Sequence, residues 1–360
     1  MRKMNSQPWW PSGPFCVALM IGTLLWGLSA QAAEVPRAFL AGNRSFLSQG
    51  LGESCYAFDL PGDTLPCNAA YISMKHEREF RANIFFGNNV EYLQEASDLV
   101  HGSASADEIQ KIAGRENVSM LDANIEAGFR MPTFGIAVSP FQLTYFAHIR
   151  NPSLPEVQIY AAQEQSARLQ VGSYLGDDVF WGVQLRALQR KYLSSEFFLT
   201  DALAEGGNQY FATQEQQQLF LEPSLMWAPE KGDWHPEVSA SLVGQGWENR
   251  HDPTLPMVPR YHLSGSVHTP VALGVWGIGL DTYWDSEVES ASQSLTLGSY
   301  FQFGMLTVFG SVGERLQSVG FNVESGRLNL GLVFANETIE DSWGDTETSN
   351  RISLLLGIAI

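Results

Sequence analysis

The chain has 360 residues, with 21 Lys and Arg against 39 Asp and Glu, for a net charge of −18. Such an acidic surface repels nucleic acid and anionic headgroups, and no nucleic-acid partner is expected. The length suits two soluble domains or one membrane barrel, and the absence of a long apolar run after the first thirty residues excludes a bundle of spanning helices.

Residues 1–32 read as a signal peptide. Arg2 and Lys3 make a basic start, an apolar run follows from Phe15 to Leu28, and Ala30-Gln31-Ala32 is the small-x-small pattern that a signal peptidase cuts after. The run is shorter than the ~20 residues of a spanning helix. Cys16 lies inside it, away from any lipoprotein-type cleavage site. Removing Arg2 and Lys3 from the 21 basic residues leaves 19 against 39 acidic ones, a mature charge of −20. Residues 33–71 lack strand rhythm and hold the two remaining cysteines, Cys55 and Cys67. In an oxidising compartment this pair is expected as a disulfide, with metal binding the minor alternative. Asp63 and Asn68-Ala69-Ala70 lie in the same stretch; Asn68 reads equally well as a simple turn residue.

From residue 72 onward the chain reads as strands. Expected positions are 72–87, 122–130, 133–149, 157–164, 167–175, 179–192, 217–228, 236–245, 260–273, 275–285, 293–303, 305–314, 316–324, 326–335 and 349–360. Ser105-Ala106-Asp107-Glu108 is a capping box that opens a short helix, 107–113, and Thr200 to Glu205 is a second candidate helix. Alternation is clearest late in the chain. Leu328, Leu330, Leu332 and Phe334 share one face, as do Leu295, Leu297, Phe301 and Phe303, and Trp276, Ile278, Leu280 and Trp284. Strands of about 9–12 residues with one apolar face match a tilted membrane wall. Long connections alternate with short ones, as they do between the outer and periplasmic sides of such barrels. The last strand alternates through Ile352, Leu354, Leu356 and Ile358 to the terminal Ile360. Tyr283, Trp284, Trp227, Trp181, Tyr192 and Trp247 lie near strand ends, where interfacial aromatics belong. The fold expected is all-β: a transmembrane antiparallel β-barrel of about 14 strands over 72–360.

The layout resembles the long-chain fatty-acid outer-membrane transporters (FadL-like) and the related conjugal-transfer TraF-like barrels. Asp63 followed by Asn68-Ala69-Ala70 stands where that family has an Asp and an Asn-Pro-Ala motif; the proline is absent, and the chain ends in Ile rather than the usual Phe. The resemblance implies that residues 33–71 form a hatch plugging the lumen, with Asp63 and Asn68 as hatch residues. It also implies that hydrophobic small molecules pass sideways through the wall.

No catalytic constellation, P-loop, HExxH or Gly-x-Ser-x-Gly elbow occurs, so neither an enzyme nor a cofactor or resident metal is expected. Lumen-lining candidates are Arg186 and Arg190 on one strand, His262, Ser264, Ser266 and His268 on another, and Arg327 with Asn329 on a third. Arg186 and Arg190 either attract anions in a pore or pair with carboxylates, since an Arg facing lipid costs ~2–4 kcal/mol at mid-membrane. Glu340, Asp341, Asp345 and Glu347 read as a solvated acidic outer loop rather than a calcium site. Expected partners are outer-membrane lipid, the barrel-assembly machinery and a hydrophobic small-molecule ligand. The function expected is passive outer-membrane transport. The alternatives are a non-transporting barrel acting in adhesion or assembly through its loops, and a secreted soluble all-β binding protein.

Overall fold

A computed structural model describes residues 45–74, 78–88, 92–101, 118–150, 156–200, 212–229, 233–251, 257–286, 290–340 and 346–360, together with 210, 255 and 288. The targeting segment with Cys16, the 107–113 helix, residues 201–205, and the side chains of Glu340, Asp341, Asp345 and Glu347 lie outside the described residues.

Fourteen antiparallel strands close into a barrel. They are β1 (Glu79–Asn88), β2 (Val118–Met131), β3 (Phe134–Arg150), β4 (Glu156–Gly176), β5 (Val179–Phe198), β6 (Gln214–Trp227) and β7 (His235–Val243, with a short continuation Gly246–Glu248). There follow β8 (Arg260–Val271), β9 (Gly274–Trp284), β10 (Leu295–Phe303), β11 (Leu306–Gly313), β12 (Leu316–Ser325), β13 (Leu328–Glu340) and β14 (Thr346–Ala359). Each strand pairs with its sequence neighbours, and β1 pairs with β14 to close the cylinder. The chain end joins this seam: Ile360 N donates to Phe80 O and Phe80 N to Ile360 O, both at 2.8 Å.

The expected stretches 157–164 and 167–175 are one strand, β4. Strand β1 opens at Glu79, and residues 72–73 belong to a 3-10 turn, Ala69–Ser73. Five of the six turns on the terminal side of the barrel have two residues; the sixth is 228–234. Gly304 (φ 56°) and Gly326 (φ 61°) supply the left-handed backbone that two of these tight turns need.

The period-two pattern turns its apolar side outward. Leu328, Leu330 and Phe334 on β13, Leu295, Leu297 and Phe303 on β10, and Ile352, Leu354, Leu356 and Ile358 on β14 are all exposed. Their neighbours Asn329, Thr296 and Ser353 are buried. A soluble sandwich would bury the apolar side, so that reading is excluded. On β4, β5 and β6 the outward apolar rows run over 167–175, 179–187 and 219–227. Nine residues span about 30 Å of tilted strand, which fits an apolar band roughly 25 Å tall. Trp227, Trp247 and Trp284 face outward at its edges. Tyr192 and Tyr283 do not: both are buried on the inward face, because they stand one residue out of phase with the outward row. Among the described residues no helix is long and apolar enough to cross a membrane; the strands do the crossing.

Beyond the belt, β2 to β5 continue outward. Their outward residues there, including Leu121, Tyr145, Ile159, Leu193 and Phe197, are covered by Tyr92 and by Ala96, Leu99 and Val100 of helix α2 (Leu93–His101). Glu95 accepts from Tyr145 Oη at 2.6 Å. An amphipathic helix thus shields apolar strand surface that has left the lipid.

Candidate functional site

The segment 45–74 lies inside the barrel. Ser45 caps α1 (Phe46–Leu51), and its Oγ accepts from Ser48 N. Gly52, at φ 57°, ends the helix and starts a 3-10 segment, Gly52–Ala57. Asp63 accepts from Leu47 N at 3.2 Å, which ties the far end of the segment to the first turn of α1. Asn68 Oδ1 accepts from Ala70 N at 3.0 Å, and its Nδ2 donates to Tyr56 O at 3.4 Å. Asn68 is therefore a cap as well as a bridge within the segment. The Cys55–Cys67 disulfide, with Cα atoms 5.9 Å apart, closes the loop between. Burial pushes the Asp63 carboxyl up to about 6, with Glu126 adding to the rise; Ser45, the Leu47 amide and Arg168 act against it.

This plug touches all fourteen strands. Phe46 packs on Phe85 of β1 and Phe309 of β11, and Phe58 on Tyr300 of β10. Arg130 of β2 grips Asp59 through two bonds of 3.0 and 2.9 Å. Leu65 and Ile72 pack on Ala137 of β3, while Gln170 of β4 donates to Pro66 O at 2.9 Å. Ala69 meets Gly182 of β5, Ala70 and Tyr71 pack on Met226 of β6, and Tyr71 Oη donates to Glu237 of β7 at 2.7 Å. Tyr56 stacks on His262 of β8 at 4.1 Å, and Phe58 abuts Gly279 of β9. Ser318 of β12 donates to Gly50 O at 2.6 Å, Asn329 of β13 to Gly62 O at 3.4 Å, and Ser353 of β14 to Gln49 at 3.0 Å.

Many of the remaining inward polar residues pair with one another along the wall. Arg186 Nη2 donates to Glu222 at 2.9 Å, and its guanidinium lies 4.0 Å over the Phe220 ring. Arg190 pairs with Glu164, and Arg168 bonds Glu126 through both carboxylate oxygens. Every buried arginine among the described residues has a carboxylate partner. His262 Nδ1 lies 3.0 Å from Asp281 Oδ1, Ser264 Oγ donates to Asp281, and Ser266 Oγ donates to Glu237 at 3.2 Å. Asp281 accepts from both His262 and Ser264, so the serine hydroxyl bonds the carboxylate and not the imidazole. His268 is half-buried, 3.8 Å from Glu237 and stacked on His235. Arg327 is exposed in the two-residue turn between β12 and β13, apart from the buried set. No group of three or more metal-ligating side chains among the described residues could hold a metal ion.

Two features escaped sequence reading. Near the outer end the inner wall turns apolar: Met120, Phe146 and Tyr160 form one in-register row, with Ala162 and Tyr192 beside it and Leu255 from the β7–β8 connection packed over them. The second is a break in the wall. Pairing of β3 with β4 slips between Ser139 and Gln142, and Ser139 Oγ bonds Ile125 O at 3.1 Å across the neighbouring slip in β2–β3. Pro140, which has no N–H for the ladder, sits in this bulge and was the available signal. Beside it, a cavity of about 690 Å³ indents the wall across β3, β4, β5, β6 and the β7 continuation.

No protein-family model and no curated protein matches the chain by sequence. Among solved structures it is similar to the toluene transporter TbuX of Ralstonia pickettii, at 7% identity over 89% of this chain and 98% of that one, with a TM-score of 0.49. It is also similar to the CymD monoaromatic hydrocarbon channel, at 8% identity over 89% and 97%, with a TM-score of 0.46. LpxR from Salmonella typhimurium matches at 10% identity over 77% and 99%, with a TM-score of 0.36. The geometry of the chain itself carries the conclusion: this is a closed fourteen-stranded outer-membrane β-barrel whose lumen holds an N-terminal plug.

Proposed function

We propose that the chain is exported with residues 1–32 removed and serves in the outer membrane as a passive channel for hydrophobic small molecules. Residues 33–71 act as hatch and 72–360 as barrel, with Asp63 and Asn68 holding the hatch together. The observation that carries this reading is the inward row Met120, Phe146 and Tyr160 with Tyr192 beside it. A water-filled porin keeps its interior polar; here the outer mouth holds an apolar aromatic cluster, buried beneath Leu255, and this lining favours an apolar solute. The plug occupies the axial route, so passage requires either a shift of the plug or an exit through the wall at Pro140. The second route is the one that the sequence resemblance implies.

Proteoliposomes holding the purified barrel test this. Uptake of an apolar aromatic fluorophore should exceed that of empty liposomes, while glucose uptake should not. Equal rates for the fluorophore would overturn the reading and favour a barrel that works through its outer loops.

A further inference from the structure

The cavity beside the bulge has an ordered lining that runs on past Pro140 across β4, β5, β6 and the β7 continuation. Val138, Ala167, Ala187, Leu219 and Trp247 stand in one cross-strand row on the outward face, each in register with the next. The two alanines make a floor between larger apolar flanks. One step outward along the strands, Gln165, Gln189 and Gln217 form a second register row, and Asn249 extends it through two bonds to the Gln217 backbone. All four amide side chains are exposed. The apolar row is the last of the lipid belt, so the amides stand at headgroup depth.

The geometry points to a binding site for one outer-leaflet glycolipid, with an acyl chain in the alanine-floored groove and saccharide hydroxyls on the amide row. Carboxamides both donate and accept hydrogen bonds, as sugar hydroxyls do, whereas a phosphate only accepts and calls for Lys or Arg. The cavity lining contains no Lys or Arg, and its single charged side chain is Glu248. Its volume is about 690 Å³, in a shallow depression open along the outer face. The inference rests on the membrane location alone and stands whether or not a solute is transported.

The test uses the full mature barrel in phosphatidylcholine nanodiscs. They carry traces of either an alkyl glycoside or a phosphatidylglycerol, each with a photoactivatable acyl chain, and crosslinks are mapped by mass spectrometry. The glycoside should label groove positions at least about fivefold over outward positions on β10 and β13, a ratio the phosphatidylglycerol should not reach. Ala187→Phe should abolish the enrichment by filling the floor. Gln189→Leu with Gln217→Leu, at exposed positions that leave the fold intact, should erase the preference between the two headgroups. Uniform labelling around the belt, or a preference for phosphatidylglycerol, would overturn the proposal.

Discussion

A Cβ placed on Gly182 of β5 would lie 2.3 Å from the carbonyl carbon of Ala69 in the plug. The obstacle is backbone on both sides, so the wall has no flexible side chain to give way. Gly182→Ala should therefore loosen the plug, costing about 1–3 kcal/mol. Gly176, with nothing within 4 Å of its built Cβ, provides the control: Gly176→Ala should be neutral. The readouts are limited proteolysis of the plug and the temperature at which the barrel loses its heat-modifiable gel mobility.

The Cys55–Cys67 bond closes a short loop entirely inside the plug. Reduction, or Cys55→Ser with Cys67→Ser, should cost about 3 kcal/mol by the loop-closure argument. Because the strands do not depend on that bond, the barrel should still form. Protease cutting within 45–74, with the strand region uncut, is the expected pattern. Collapse of the whole barrel would contradict it.

Asp63 should make plug seating depend on pH. Its carboxyl titrates at about 6 in the folded chain against 3.8 for the free group, so between those values the folded state holds more protons than the unfolded one. Stability is then greatest below about pH 4 and falls as pH rises through about 6, by on the order of 3 kcal/mol. Asp63→Asn keeps the acceptor for Leu47 N and removes the charge. The difference in melting temperature between variant and parent should be small at pH 4 and favour the variant at pH 7. A pH-independent difference would show that Asp63 is not the source.

Arg186 and Glu222 are both buried in the wall, and Glu222 also accepts from Gly244 N at 3.2 Å. Glu222→Gln should leave an uncompensated guanidinium and cost about 3–5 kcal/mol. The apolar pair Arg186→Met with Glu222→Leu should come much closer to the parent, because it removes both desolvated charges together. Urea unfolding of the three proteins in the same detergent separates these outcomes.

Sequence reading reached the strands whose two faces meet one solvent each. From β8 to β14 the outward row meets lipid and the inward row is mostly polar, broken by a few apolar contacts to the plug such as Tyr300 and Phe309, so the alternation is plain. It broke on β4, which changes surroundings along its length. Val171 and Leu169 face lipid, Gln165 and Gln163 stand at the headgroups, and Ile159 and Val157 lie beneath α2. The polar stretch at Glu164-Gln165-Ser166 therefore looked like a gap between two strands. The start of β1 was misplaced because Ile72 is apolar for the plug's sake, packed on Ala137 inside the barrel. Arg186 and Arg190 were recognisable as inward residues. Their partners Glu222 and Glu164 were not, since strand register sets those pairs and no local spacing encodes it.

The unequal strands have a geometric consequence. At about 3.3 Å per residue, the 21 residues of β4 extend some 70 Å and the 8 of β11 about 26 Å. The rim is cut on a slant, high over β3 to β5 and low over β10 to β12. A molecule approaching from the medium meets a backstop on one side and a doorstep on the other. On the low side the plug itself comes up to the sill, where Gly52 lies against Leu316 and Thr296 at the outer ends of β12 and β10.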